Sequence, residues 1–262
     1  MSSLTKGFKT LSAKAAAQLD QDLMSVGAFS IDQLMELAGL AVAKAVYREY
    51  PPSHSSNSSN SSNSSTSPAQ KILVLVGPGN NGGDGLVAAR HLKTWGAYEP
   101  VIYYPKKSTH NQLYANLVKQ LENLNVHEIT TLDEIKSLLS HRGEVGVILD
   151  ALFGFSFKPP IRDPFKDVIS YLSQNHDAIP PIVSVDIPSG WDVDEGATDV
   201  DINASMLVSL SAPKPCAERF VNSGENKKHY LGGRFISHKI AKKYGIEDIL
   251  EKYKGDELIT KL

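Results

Sequence analysis

Gly77-Pro78-Gly79-Asn80-Asn81-Gly82-Gly83-Asp84-Gly85 lies directly between the apolar run Ile72-Leu73-Val74-Leu75-Val76 and the helix-like Leu86-Val87-Ala88-Ala89-Arg90-His91-Leu92. Such a segment reads as a strand feeding a phosphate cradle. Glycines let the backbone approach a pyrophosphate and take positive φ, and the free N–H groups and dipole at the start of the following helix favour an anion. A nucleotide-shaped ligand is the first expectation. Gly77, Gly79 and Gly82 satisfy G-x-G-x-x-G, but a dinucleotide dehydrogenase places an acidic residue about 20 positions on to hold the ribose. Here the next strand, Val101-Ile102-Tyr103-Tyr104, runs into Pro105-Lys106-Lys107. A Walker loop is excluded as well, because Gly82 is followed by Gly83-Asp84 and not by Lys-Ser/Thr. A tight turn that binds nothing does not call for five glycines.

Three aspartates stand at or just past apolar strands, where open α/β sheets bind ligands. Asp84 follows the glycine loop, Asp150 ends Val145-Gly146-Val147-Ile148-Leu149, and Asp186 lies in Val183-Ser184-Val185-Asp186-Ile187-Pro188-Ser189-Gly190. Each alone caps a turn as readily as it serves a site; together they point to a polar pocket. Asp84 is the one expected to be structural, as a helix N-cap. The loop Leu152 to Arg162 mixes Phe153, Phe155 and Phe157 with Lys158 and Arg162. It suits a flat ring plus phosphate, or a rigid loop with its phenylalanines in the core. Oxygens at Asn81, Asp150 and Ser189 are of the kind that hold a hard cation. The lone Cys216 has no evident base and excludes an internal disulfide.

The elements that must position these groups follow from hydrophobic period. Helices are expected near 12–25 and 30–49, the second opened by a Ser30-Ile31-Asp32-Gln33 capping box. Strands at 70–76, 100–104, 126–129, 145–150, 181–187 and 206–210 alternate with helices at 85–95, 109–124, 132–141 and 164–175. Beyond 211 a strand at 234–237 and a helix near 238–244 are expected. The fold class is α/β: a Rossmann-like three-layer αβα sandwich with a mostly parallel central sheet. The chain of 262 residues, 41% hydrophobic and 21% charged, fits one domain over 1–262. The Ser/Asn tract at 53–67 reads as a disordered insertion. A net charge of −2 disfavours nucleic acid and anionic membrane as partners. No apolar stretch approaches a membrane span, and Met1 to Lys6 lacks a signal-peptide core. A cytoplasmic location is expected, with mitochondrial import the second option, since Lys6, Lys9 and Lys14 precede the first acid, Asp20.

Gly77 to Gly85, Asp150-Ala151-Leu152-Phe153-Gly154, Asp186-Ile187-Pro188-Ser189-Gly190, Met35-Glu36-Leu37-Ala38-Gly39 and the tail Tyr230-Leu231-Gly232-Gly233-Arg234-Phe235 together resemble the NAD(P)H-hydrate epimerase family, the YjeF N-terminal domain. The resemblance runs from about residue 10 to 245, interrupted by the Ser/Asn tract; Pro159-Pro160 stands where many relatives have Gly-Asp or Gly-Glu. It implies interconversion of the R and S forms of NADH or NADPH hydrated at C6 of the nicotinamide. Substrate would be bound by Asn80, Asn81, Gly82, Gly83 and Asp84, by Gly154, Phe155, Ser156, Phe157, Lys158, Pro159 and Pro160, and by Asp186, which is also the expected acid–base residue. A potassium ion would be held by Asn81, Asp150 and Ser189. The resemblance further implies a homodimer and a functional partner, an ATP- or ADP-dependent dehydratase expected here as a separate protein. The alternative is a non-catalytic nucleotide-binding or protein-interaction scaffold of the same fold, which loss of the aspartates or of the Asn-Asn-Gly-Gly loop would favour.

Overall fold

The computed structural model describes residues 7–52, 69–96, 98–108 and 111–262. The expected insertion at 53–67 and the first residues of the helix expected at 109–124 lie outside the described residues. Strands β1 (Gln70–Val76), β2 (Tyr98–Tyr103), β3 (His127–Ile129), β4 (Val145–Ala151), β5 (Ile182–Val185), β6 (Met206–Leu210), β7 (Lys228–Gly232) and β8 (Ile259–Lys261) form one sheet in the order β3-β2-β1-β4-β5-β6-β7-β8. Every neighbouring pair is parallel except β7–β8. Helices α1 (Ala13–Ser25), α2 (Ile31–Glu49), α3 (Asn80–Thr94), α4 (Gln112–Asn123), α5 (Leu132–Ser140), α6 (Phe165–Gln174), α7 (Pro215–Asn222), α8 (His238–Tyr244) and α9 (Glu247–Leu250) complete the chain. None of the described helices is long and apolar enough to cross a membrane.

The sheet is covered on both faces because its strands are apolar on both. Along β1, Ile72, Val74 and Val76 enter a core with α2, α3 and α4, while Leu73 and Leu75 enter a second core with α5, α6 and α7. A third cluster ties α1, α8 and α9 to Leu231 of β7. Both expected capping boxes are formed: Ser30 with Gln33 opens α2, and Thr131 with Glu134 opens α5.

The structure corrects the sequence reading at three places. First, α3 begins at Asn80, not 85, so Asn80 to Gly85 are helical and Gly79 is the N-cap. Asp84 therefore caps nothing; it is a buried residue of the second turn. Second, none of the five loop glycines has positive φ. Their purpose is close approach: a Cβ on Gly77 would lie 1.7 Å from the Leu152 carbonyl oxygen, and one on Gly82 would lie 1.9 Å from that of Gly77. Third, the last strands are β7 and β8, and no strand forms at 234–237. Gly233, at φ +81°, turns the chain away from the sheet before it reaches Arg234.

Gly82→Ala should accordingly destabilise the fold by at least the ~1–3 kcal/mol typical of overpacking, because the obstructing atom is backbone. Gly79→Ala meets open space and should cost less than about 1 kcal/mol. Urea midpoints of the two variants test the difference; equal midpoints would refute the close-approach account.

Candidate active site

A cavity of about 500 Å³ lies at the carboxyl ends of β1, β4, β5 and β6, bracketing the β1/β4 reversal of strand order, with α1 and α2 closing it. Its size falls in the usual range for small-molecule sites, and the place is where doubly wound sheets hold ligands. Asn80, Asn81, Asp84, Asp186 and Gly154 to Phe157 line it, so these expected residues are brought together. Gly82 and Gly83 lie buried behind the wall, and Lys158, Pro159 and Pro160 are exposed outside it.

Asp186 directly follows β5 with its backbone at φ +66°, a left-handed conformation that aspartate tolerates better than most residues. Its N–H donates to the Val208 carbonyl at 2.8 Å. One carboxylate oxygen accepts from the Phe155 N–H at 3.0 Å; the other is ion-paired to the Lys214 ammonium. Lys214 is 2% exposed, donates also to the Leu210 carbonyl at 2.9 Å, and sits 5.2 Å from the centre of the Phe155 ring. The pair thus joins the ends of β5 and β6 to the aromatic loop after β4.

Asp150 is fully buried one strand away. Its oxygens accept from Ser189 Oγ at 2.5 Å, Ser184 Oγ at 2.8 Å, the Ser189 N–H at 2.9 Å and the Leu152 N–H at 3.3 Å. Burial pushes this carboxyl up, against the pull of those hydrogen bonds. Ser189 Oγ in turn accepts from the Phe153 N–H at 3.1 Å, so Asp150 braces both the Asp186 loop and the aromatic loop. Within the aromatic loop Phe153 and Phe157 stack at 4.5 Å, and Phe153 meets Phe165 edge-on at 5.3 Å. The loop packs Phe153 and Phe155 against the core and also lines the cavity.

On the α3 side Asn80 accepts from the Tyr114 hydroxyl at 2.6 Å. Asn81 Nδ2 is buried with no hydrogen-bond partner among the described residues. Gly154 lies against both Asn81 and Asp186: a Cβ there would come within 3.3 Å of Asn81 Oδ1 and 3.2 Å of Asp186 Oδ2. Asp84 is 8% exposed, and burial, followed by the nearby charges of Asp186 and Asp20, raises it well above the usual carboxylate range. Cys216 is buried and its thiol is pushed up to about 12 by that burial, which removes it as a nucleophile.

Two charged residues of the cavity were not foreseen from sequence. Lys214 stands just past β6, where the rule that singled out the aspartates applies equally to a cation. Asp20 lies on α1 in line with Ala16 and Met24, four residues to either side, all three facing the cavity. A carboxylate on an otherwise apolar stripe was the readable signal. Burial raises Asp20 to about 6, opposed by Lys214 and assisted by Asp186.

The pattern of the family described as YjeF-related protein N-terminus matches residues 31–216. The chain is 68% identical to the NAD(P)H-hydrate epimerase of Candida albicans, covering 99% of this chain and 100% of that one. It is 45% identical to the NAD(P)H-hydrate epimerase of Saccharomyces cerevisiae, over 97% and 98% of the respective chains. The crystal structure of yeast ynu0 superposes with a TM-score of 0.84 at 44% identity, covering 97% of this chain and all of that one.

Proposed function

This chain belongs to the YjeF-related protein N-terminus family, and from that premise we propose that it is an NAD(P)H-hydrate epimerase, interconverting the R and S forms of NADH and NADPH hydrated at C6 of the nicotinamide ring. The observation that carries the reading is the buried Asp186–Lys214 pair at the cavity wall beneath Phe155. A carboxylate fixed this way is a defined acid–base group in a space of about 500 Å³ otherwise walled largely by apolar side chains.

C6 of the hydrate is a hemiaminal carbon beside the ring nitrogen. Protonation of its hydroxyl, with the nitrogen lone pair pushing, releases water and leaves a planar iminium. Water then returns to the opposite face and gives up a proton. Asp186 serves one face. Lys214 holds its carboxylate, and the Phe153–Phe157 loop limits the water that reaches the ring. Retention of the three aspartates and of Asn80-Asn81-Gly82-Gly83 favours an enzyme over a scaffold.

The residues expected to hold potassium fit a hard cation. Asp150 and Ser189 present oxygens in direct contact, and exchanging the two ends of the Asn81 amide would put an oxygen where its buried, unpartnered nitrogen stands. Asp150, Ser189 and Asn81 would hold the ion, which when bound helps to bind and orient the substrate's charged groups. The reading also includes a homodimer, and a dehydratase that consumes the S form.

The test incubates the purified chain with R-NADPH hydrate and follows the S epimer by chromatography against an enzyme-free control. Acceleration is expected, and it should fall when potassium is replaced by tetramethylammonium. No acceleration by the folded protein in potassium would move the scaffold reading to first place; equal rates in both salts would remove the cation from the proposal.

A further inference from the structure

Moving a hydroxyl from one face of a ring to the other requires proton transfer to oxygen on both faces. Because the reaction runs in both directions, the group on each face must act as acid in one direction and as base in the other. Asp186 is anchored after β5, with Lys214 and the Phe155 N–H on its two oxygens. The α1 wall of the same cavity carries Asp20, whose carboxyl has no hydrogen-bond partner among the described residues although it is only part-exposed. Asp84 on α3 also lines the cavity, 8% exposed and likewise without a hydrogen-bond partner among the described residues. Both carboxyls open onto the cavity with no protein donor on their oxygens among the described residues, so a ligand's polar atoms can reach them at the α1–α3 wall as well as at Asp186.

Resting on the epimerase reading above, we propose that Asp20 is the second acid–base residue of the reaction, acting on the ring face that Asp186 does not serve. In one direction the Asp20 proton joins the C6 hydroxyl oxygen, and the C6–O bond breaks with its electron pair leaving as water. The ring-nitrogen lone pair closes the C6=N bond. Water on the Asp186 face then forms a new C6–O bond, the C=N π pair returns to nitrogen, and the surplus proton passes to Asp186. Asp20 has lost one proton and Asp186 has gained one; exchange with solvent, or a turnover in reverse, restores both.

The groups facing Asp20 are Lys214 and Asp186 from the sheet edge, Asp84 from α3 and Tyr244 from α8. Burial and Asp186 raise Asp20 to about 6 while Lys214 opposes them, so both protonation states are populated near neutrality, as a reversible proton carrier requires. Burial, with the charges of Asp186 and Asp20, raises Asp84 well above the usual carboxylate range.

The experiment measures epimerisation by Asp20→Asn and Asp20→Glu across pH 5–9, together with incorporation of oxygen-18 from labelled water at C6 and substrate-induced thermal shift. Asp20→Asn is expected to slow epimerisation on the order of 10²–10⁴-fold and to lose one limb of the pH profile. Oxygen exchange with retained configuration, followed on each epimer separately, should persist for the one whose hydroxyl faces Asp186, since Asp186 can still expel and return water on its own face. Asp20→Glu should recover part of the rate. Epimerisation by Asp20→Asn at the wild-type rate, or loss of exchange in both epimers alongside epimerisation in a folded variant that still binds substrate, would overturn the assignment. Failure of the wild type itself to epimerise would instead refute the epimerase reading.

Discussion

Asp186→Asn is expected to slow epimerisation on the order of 10²–10⁴-fold, the range contributed by a positioned acid–base group, while substrate binding changes little. Asparagine is the informative replacement because it keeps the shape and tolerates the left-handed backbone at φ +66°. Alanine would add conformational strain to the loss of the carboxylate. The exchange is not silent elsewhere. Asp186 presents two oxygens, one to the Phe155 N–H and one to Lys214; asparagine has a single oxygen for the two donors. Some loss of thermal stability should therefore accompany the rate defect, and rates must be compared where both proteins are fully folded. Asp186→Glu separates charge from position: it restores a negative partner for Lys214 but moves the carboxylate by one methylene. Its rate should also be low, with stability closer to wild type. A nearly full rate for Asp186→Asn, measured with R-NADPH hydrate beside an enzyme-free control, would remove Asp186 from the chemistry.

Much of this site was readable because it follows the sheet. The apolar strands at 70–76, 145–150 and 181–187 fix where the chain leaves the sheet, and Asp150 and Asp186 are placed by those exits alone. Asp84 shows the limit of that reasoning. A helix start was inferred from the first clearly apolar residues after the glycines, but Gly82 and Gly83 enter the helix because α2 and the strand ends pack too close for side chains. Tertiary contact overrode the poor helix propensity of glycine. Asp20 and Lys214 were missed for a different reason. Each acts through a neighbour distant in sequence, Asp20 brought to the cavity by α1 and Lys214 to Asp186 across two strand ends. Asp22, two residues on along the same helix, instead serves as a brace for Lys243 and Tyr244 at 2.5 and 2.7 Å. The C-terminal strands were obscured because β7 and β8 are short and carry Lys228, His229 and Lys261 among their few residues, giving no clear period.

Lys214→Met should cost roughly 3–5 kcal/mol of stability, the usual result of removing one member of a buried ion pair. That is a large share of the ~5–15 kcal/mol that holds a typical domain together. Methionine fills a similar volume, so packing is largely kept and the loss reports the Asp186 charge left without its partner. In the variant the Asp186 carboxylate stays buried without its counter-charge, and urea unfolding should show the loss directly. Adding Asp186→Asn to Lys214→Met removes the stranded charge and should return most of the lost stability at pH 8, a coupling that separate losses of packing would not produce. If the double variant is no more stable than Lys214→Met, the pair does not hold the two strand ends together by charge, and Lys214 acts through its packing beneath Phe155 alone.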